Sequence, residues 1–251
     1  MKVANGVEML ELSAVSMSGP GNIYPTLLWD QKDTVLVDAG FPGMAPQFVN
    51  AITQAGISPE KLGCVIITHH DLDHLGSLRD LQEMVPGLTE LLAHADEVPY
   101  IQGERTPVKM TPKMLEQMKE LMKGMPEENL RAMRSMGESI AKQKLKVTRA
   151  VGDGEELPCC GGVQIIHTPG HTPGHICLYH RASKTLVAGD LLFVEKGNLS
   201  PAPSFINADP SMAIASIQKL TDYDIVNIIA YHGGLYQDAP NRRIREIVQT
   251  A

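Results

Sequence analysis

Thr68-His69-His70-Asp71-Leu72-Asp73-His74 is the stretch that decides how this 251-residue chain is read. It follows directly on Cys64-Val65-Ile66-Ile67, an apolar run of strand length, and leads into helical spacing. Five metal-capable side chains within six residues are costly to place at a strand end without a cation, because packed imidazoles and carboxylates repel or go unsatisfied. Side chains at i and i+2 of an extended stretch face the same way, so His69 and Asp71 can share one ion. As the chain turns into the helix, Asp73 and His74 can reach a second. The competing reading is a solvated polar loop.

Three more strand-like runs end in groups of the same kind. Val163–His167 opens His167-Thr168-Pro169-Gly170-His171-Thr172-Pro173-Gly174-His175, whose two Pro-Gly pairs force a rigid, kinked loop able to aim an imidazole inward. Taken alone, these histidines are ligands or only supporting donors in a turn. Thr185-Leu186-Val187-Ala188-Gly189 delivers Asp190 at a strand end, where α/β proteins place their sites. Ile228-Ile229-Ala230-Tyr231 delivers His232 before Gly233-Gly234. One acid or histidine at a strand end is weak evidence; four such endings point to one site.

Around these endings the chain divides into two similar halves flanking an insert. The first half offers β runs at Val7–Leu12, Ile23–Trp29 and Thr34–Asp38, a helix near Pro46–Ala55, a helix after His74 and a strand at Leu88–His94. The second offers Val163–His167, His175–His180 and Thr185–Ala188, a helix started by Asp209-Pro210, the strand Ile225–Ala230 and a closing helix Asn241–Val248. Strands alternating with helices argue for α/β layers. The insert, about residues 100–146, predicts two helices with Met114, Met118, Leu121 and Met122 on one face of the first and Leu130, Met133 and Ile140 on the second. Its methionines suit either a stripe packed on the core or an adaptable lid.

Composition narrows the partners. Hydrophobic residues make up 43% and charged residues 20%, which is globular rather than disordered. A formal charge of -7 disfavours nucleic acid and anionic membranes, and no apolar run approaches the ~18 residues that span a bilayer. The N-terminal MKVANGVEMLELS alternates as a first strand would and lacks a signal-peptide pattern, so a cytoplasmic location is expected. Cys64 and Cys177 lie in apolar runs as buried thiols, while the vicinal Cys159-Cys160 reads as a hairpin-flanking pair or a thiol metal site.

The ordered set THHDLDH, TPGHTPGH, AGD and HGG, with Val37-Asp38-Ala39-Gly40 before it, resembles the metallo-β-lactamase superfamily over nearly the whole chain outside the insert. That family's loop reads H-x-H-x-D-H. His69, Asp73 and His74 match it, His70 takes the variable position and points away, and Asp71 replaces a histidine. The resemblance implies a single domain over residues 1–251, a four-layer αβ/βα sandwich carrying the helical insert. It implies one ion at His69, Asp71 and His171, a second at Asp73, His74 and His232, and Asp190 bridging both. Asp38 would orient a ligand imidazole by accepting its free N–H, and His167 and His175 would support ligands rather than bind metal.

Three aspartates and a bridging hydroxide balance two divalent cations. Asp71 should therefore raise the pKa of the bridging water and make the first site harder, so that manganese or iron compete with zinc, the first choice for imidazole-rich sites. The expected function is a metal-dependent hydrolase acting on a small molecule through a metal-bridging hydroxide, with Asp73 holding its proton. An ester, lactone or thioester is the favoured substrate class. The alternatives are a phosphodiesterase, a diiron-type oxidoreductase, which usually carries an attached flavodoxin domain where only 19 residues follow His232 here, and a silent metal-binding sensor.

Overall fold

Strands that bury both faces set the architecture of the computed structural model, which describes residues 1–16, 19–111 and 145–250, with Glu116, Glu120, Lys123, Gly124 and Glu127 between them. The Met-bearing faces and the lid expected of the insert lie outside the described residues.

The first half of the chain forms a seven-stranded sheet. Its order is β1 (Lys2–Ala4), β2 (Val7–Met9), β5 (Thr26–Trp29), β6 (Thr34–Val37), β7 (Leu62–Ile67), β8 (Glu90–His94) and β9 (Arg149–Val151). The second half forms a six-stranded sheet. Its order is β10 (Glu156–Leu157), β11 (Val163–His167), β12 (Ile176–His180), β13 (Thr185–Val187), β16 (Asn227–Ala230) and β17 (Gly234–Tyr236). Two hairpins stand apart, β3 (Leu12–Ser16) with β4 (Gly19–Ile23) and β14 (Leu192–Glu195) with β15 (Asn198–Pro201).

Successive side chains of a strand point to opposite faces, and here both faces are apolar. Val35, Val37, Ile66 and Leu92 of the first sheet meet Ile165, Ile176, Leu178, Val187 and Ile229 of the second. Their chain neighbours Leu36, Val65, Ile67 and Leu91 face outward onto Phe48 and Ile52 of α1 (Ala45–Gln54) and onto Leu78 and Leu81 of α3 (Leu78–Met84). On the other side, Ile166, Cys177, Leu186 and Ile228 pack on Ile217 of α5 (Pro210–Lys219) and on Ile244 and Ile247 of α6 (Pro240–Thr250). Each such side chain stabilises the fold by about 1.5–3 kcal/mol relative to exposure. Helix, sheet, sheet, helix is the αβ/βα sandwich.

Strands β6, β7, β8 and β9 run parallel, as do β13 and β16. The loops after β6, β7 and β8 therefore leave one edge of the first sheet together, and those after β13 and β16 one edge of the second. Asp209 caps α5 by accepting from the Met212 N–H at 2.9 Å, with Pro210 at its first position.

Several boundaries differ from the sequence reading. The N-terminal stretch is a hairpin turned at Asn5-Gly6 rather than one strand. Val7–Leu12 and Ile23–Trp29 each divide, because Leu12–Ile23 belongs to the separate β3–β4 hairpin, and Pro25 brings no N–H to a ladder. The helix after His74 is two pieces, α2 (Leu72–Leu75) and α3. Cys159-Cys160 lies in the turn between β10 and β11 with free thiols, and among the described residues neither thiol joins a group able to hold a metal ion.

Candidate active site at the paired sheet edges

Four loops bring all seven predicted ligand side chains to one place between the sheet edges. His69 Nε2 and His171 Nε2 lie 3.3 and 3.1 Å from Asp71 Oδ2, which makes one triad. His232 Nε2 and His74 Nε2 lie 3.3 and 3.7 Å from Asp73 Oδ2, which makes another. Asp190 stands between them: Oδ1 is 3.2 Å from His74 Nε2, and Oδ2 is 3.4 Å from His171 Nε2 and 3.5 Å from His232 Nε2.

The tautomers follow from the outer partners. Asp38 Oδ2, an acceptor only, takes the His74 Nδ1–H at 2.8 Å. The same carboxylate accepts from the Thr68 N–H at 2.8 Å and from Thr68 Oγ1, so the Thr68 oxygen is left to accept the His69 Nδ1–H at 3.0 Å. Asn207 Oδ1 accepts the His171 Nδ1–H at 3.0 Å. Each ring thus spends Nδ1 outward and turns the lone pair of Nε2 toward the cluster, the arrangement a metal requires of imidazole. Asp38 holds φ at 65°, a left-handed conformation that Asp tolerates better than most residues. Replacing it by asparagine is expected to weaken metal affinity about 10–100-fold, because the amide both loses the charge and brings a donor. A chelator-competition titration measures this; affinity equal to the parent's would mean that Asp38 does not support the site.

Buried atoms without partners test the fit to a cation. His69 Nε2, His74 Nε2 and Asp190 Oδ1 are buried and make no hydrogen bond. Lys109 supplies the complementary observation. Its ammonium, a donor only, pairs with Asp71 Oδ2 and lies 2.6 Å from His171 Nε2, so a positive charge already sits on the first triad and reads His171 Nε2 as a lone pair. The donor set of imidazoles and carboxylates suits divalent zinc, manganese or iron. The residues fit a metal centre.

The aspartates and histidines of the cluster shift one another's pKa against their burial. Burial opposes the charge on His74, yet Asp190, Asp38 and Asp73 together hold its pKa well above the usual value. His232 is half-buried, and Asp190 and Asp73 hold it at about 10 against that partial burial. Asp190 stays well below the ordinary carboxylate range against its burial, because His232 and His74 face it.

The supporting residues divide. His175 Nε2 accepts from the Asp190 N–H at 3.0 Å and its Nδ1 meets Thr168 Oγ1 at 2.9 Å, so it fixes the aspartate from behind; burial, then His171, keep it neutral. Gly189 makes this approach possible, since a Cβ there would stand 2.7 Å from His175 Nε2 at φ +50°. Gly233 serves the loop after β16, where a Cβ would fall 1.8 Å from the Val194 carbonyl oxygen. His70 turns away from the cluster, bonds to Glu97 and stacks at 4.4 Å on Tyr100 of the short helix α4 (Val98–Ile101). His167, expected to support a ligand, does not reach the cluster. Its backbone N–H goes to Asp153 and its Nε2 to the Pro173 carbonyl, and its ring stacks on His94.

Lys109, Glu97, Asn207 and Tyr231 are among the residues that escaped sequence reasoning. Tyr231 packs on His74 with ring centroids 3.8 Å apart and donates its hydroxyl to the Asp73 carbonyl, tying two members of the second triad. Its place beside His232 was the only available signal. Beside the cluster opens a cavity of about 780 Å³, lined by Asp71, Asp73, Asp190, Lys109 and His232 and by the apolar Phe41, Val108, Phe193, Phe205 and Ile206.

Two facing sheets whose shared edge gathers histidines and aspartates beside a half-apolar cavity define a metallohydrolase-type sandwich. The chain belongs to the metallo-beta-lactamase superfamily, whose pattern it matches over residues 18–232. It is similar to the probable metallo-hydrolase YflN of Bacillus subtilis (strain 168), with 27% identity over 79% of this chain and 75% of that protein. It is also similar to hydroxyacylglutathione hydrolase GloC of Haemophilus influenzae, with 28% identity over 83% of this chain and 84% of that protein. Among solved structures, the metallo-beta-lactamase family protein TTHA1429 of Thermus thermophilus superposes with a TM-score of 0.69 at 21% identity, covering 99% of this chain and 80% of that one.

Proposed function

We propose that the chain is a metal-dependent hydrolase that holds two divalent ions in this cluster and cleaves an ester, lactone or thioester of a small molecule. The supporting observation is the pair of triads, His69–Asp71–His171 and Asp73–His74–His232, approached by one Asp190 and containing buried imidazole nitrogens with no hydrogen bond. Zinc is the first choice of metal, with manganese or iron as alternatives. When bound, the ions lower the pKa of a water molecule and neutralise charge developing at the attacked carbonyl.

The chain's own groups do the rest. Asp73 lines the cavity, and its carboxylate accepts the proton of the attacking water and aims its lone pair. Tyr231 and Asp38 hold the second triad rigid from behind. Phe41, Val108, Phe193 and Phe205 offer an apolar wall for an acyl portion, in a volume suited to small molecules. The GloC relative is a hydroxyacylglutathione hydrolase, and since an acylglutathione is a thioester this supports the same substrate class.

A net charge of -7 speaks against nucleic acid as partner. Among the described residues no helix is long and apolar enough to cross a membrane. The four free cysteines suit the reducing cytoplasm, which we take as its location.

The deciding experiment offers the metal-loaded protein ester, lactone, thioester and phosphodiester panels. Turnover of one of the first three, lost on chelation and regained on adding metal, is the expected result. Turnover of phosphodiesters alone, or none with the metal sites full, would overturn the proposal. One observation favours a second reading: Asp71 places a carboxylate where the family's loop carries a histidine, which suits iron and hence a diiron-type oxidoreductase. Tight iron binding with visible absorbance and no hydrolysis would select it.

A further inference from the structure

A second cluster of metal-capable groups lies outside the candidate active site, where β8 and β11 end on opposite sheets. One donor atom each of His94, Asp96 and His167 lies within 4.8 Å of the other two. The two rings stack with centroids 3.9 Å apart and planes 9° from parallel. His94 Nδ1 accepts from the Asp96 N–H at 3.2 Å, which places its proton on Nε2 and leaves a lone pair on Nδ1. Asp96 Oδ2 lies 3.7 Å from the same nitrogen. His167 Nε2 must donate, because its partner at 3.0 Å is the Pro173 carbonyl oxygen, so Nδ1 is the His167 nitrogen left for a ligand. Two imidazoles thus stand beside a carboxylate that reaches solvent, the His94 Nδ1 lone pair being held by the 3.2 Å bond from the Asp96 N–H.

We propose that His94, Asp96 and His167 form a separate binding site for a divalent cation of the borderline class, zinc, nickel or copper. Two imidazole nitrogens and one carboxylate oxygen are three protein ligands, and water completes a four-coordinate shell. Binding exchanges the 3.2 Å bond from the Asp96 N–H for coordination, and that N–H, on an exposed residue, turns to water. The charged groups nearby are Glu97, Asp153 and Lys219. Glu97 spends its carboxylate on His70, Thr172 and Gly174, and Asp153 accepts from the His167 N–H and from Lys219, so neither is released to compete for the cation. Burial and the adjacent His167 lower the His94 pKa, which keeps its ring in the neutral form a metal takes.

Position gives the site a consequence. Strand β8 belongs to the first sheet and β11 to the second, and the loop after β11 carries His171. A cation here clamps the two sheets at the root of that loop.

The test compares the parent with the double variant H94Q/H167Q and with D96N, each equilibrated against the same free zinc concentration. Bound metal is counted after dialysis, and thermal unfolding is followed as zinc is raised. The double variant should hold one equivalent fewer than the parent, whatever total the parent holds, and D96N should need roughly tenfold more zinc to fill the same site. Because the reading is a difference, it stands apart from the fate of the central cluster. Equal zinc content in the parent and the folded double variant would overturn the site. Should the double variant fail to fold, the D96N titration decides, and a zinc curve superposing on the parent's would overturn the site equally.

Discussion

Replacing Asp190 by alanine is expected to lower hydrolysis by about three orders of magnitude or more and to empty at least one metal position. The reason is geometric. Asp190 is the group that approaches members of both triads, His74 through Oδ1 at 3.2 Å and His171 and His232 through Oδ2 at 3.4 and 3.5 Å. With two dications bound as proposed, its removal would leave only Asp71 and Asp73 to offset them. The asparagine variant keeps the shape and loses the charge, so it should fall between alanine and the parent in metal content while remaining nearly inactive. Without metal, both variants should melt below the parent, because His232 and His74 depress the Asp190 pKa and that interaction contributes stability at neutral pH. The gain in melting temperature on adding metal should shrink in both variants. Metal analysis, turnover and paired melts measure all three, and an alanine variant that keeps both ions with a rate within about tenfold of the parent's would remove Asp190 from the centre.

The seven clustered residues were legible because each sits within a few residues of a strand end, where topology alone carries it to the sheet edge. The sandwich was legible for a related reason: strands such as Val65-Ile66-Ile67 are apolar in both phases, which only a doubly covered sheet explains. Glu97 and Lys109 were not legible. Each is an isolated charge in ordinary local sequence, and its role comes from residues 27 to 75 or more positions away. His167 misled for the opposite reason. It shares the TPGH repeat with His171, but it is still within β11, and its N–H, Nε2 and ring are all claimed by neighbours outside the cluster. The β14–β15 hairpin also escaped, since Leu192–Pro201 has little alternation to mark it, and with it the place of Phe193 in the cavity wall.

Truncating Glu97 to alanine is expected to produce the largest loss of stability among single changes near the site, about 3–5 kcal/mol, or a fall in melting temperature on the order of 10 °C. The side chain is fully buried and its carboxylate fills its acceptor capacity. Oε1 accepts from Thr172 Oγ1 and the Gly174 N–H, both at 2.7 Å, and Oε2 from the His70 N–H at 2.8 Å and from His70 Nδ1. One carboxylate therefore ties the loop holding His69 and Asp71 to the loop holding His171. Alanine strands four buried donors together, and glutamine is no isostere, since its NH₂ would face donors. Burial raises the Glu97 pKa, but the His70 contacts, then Thr172 and Gly174, lower it further, so its net position is below the ordinary 4.5. A depressed carboxyl pKa contributes stability above the unfolded value and loses it as pH falls through the folded one. The gap between parent and E97A should thus be full at neutral pH and close progressively below about 4.5. Metal-free melts across that range isolate the effect from the metal centre. If E97A melts within about 2 °C of the parent at pH 7, water or rearranged partners have satisfied those donors, and the two loops are held by something else.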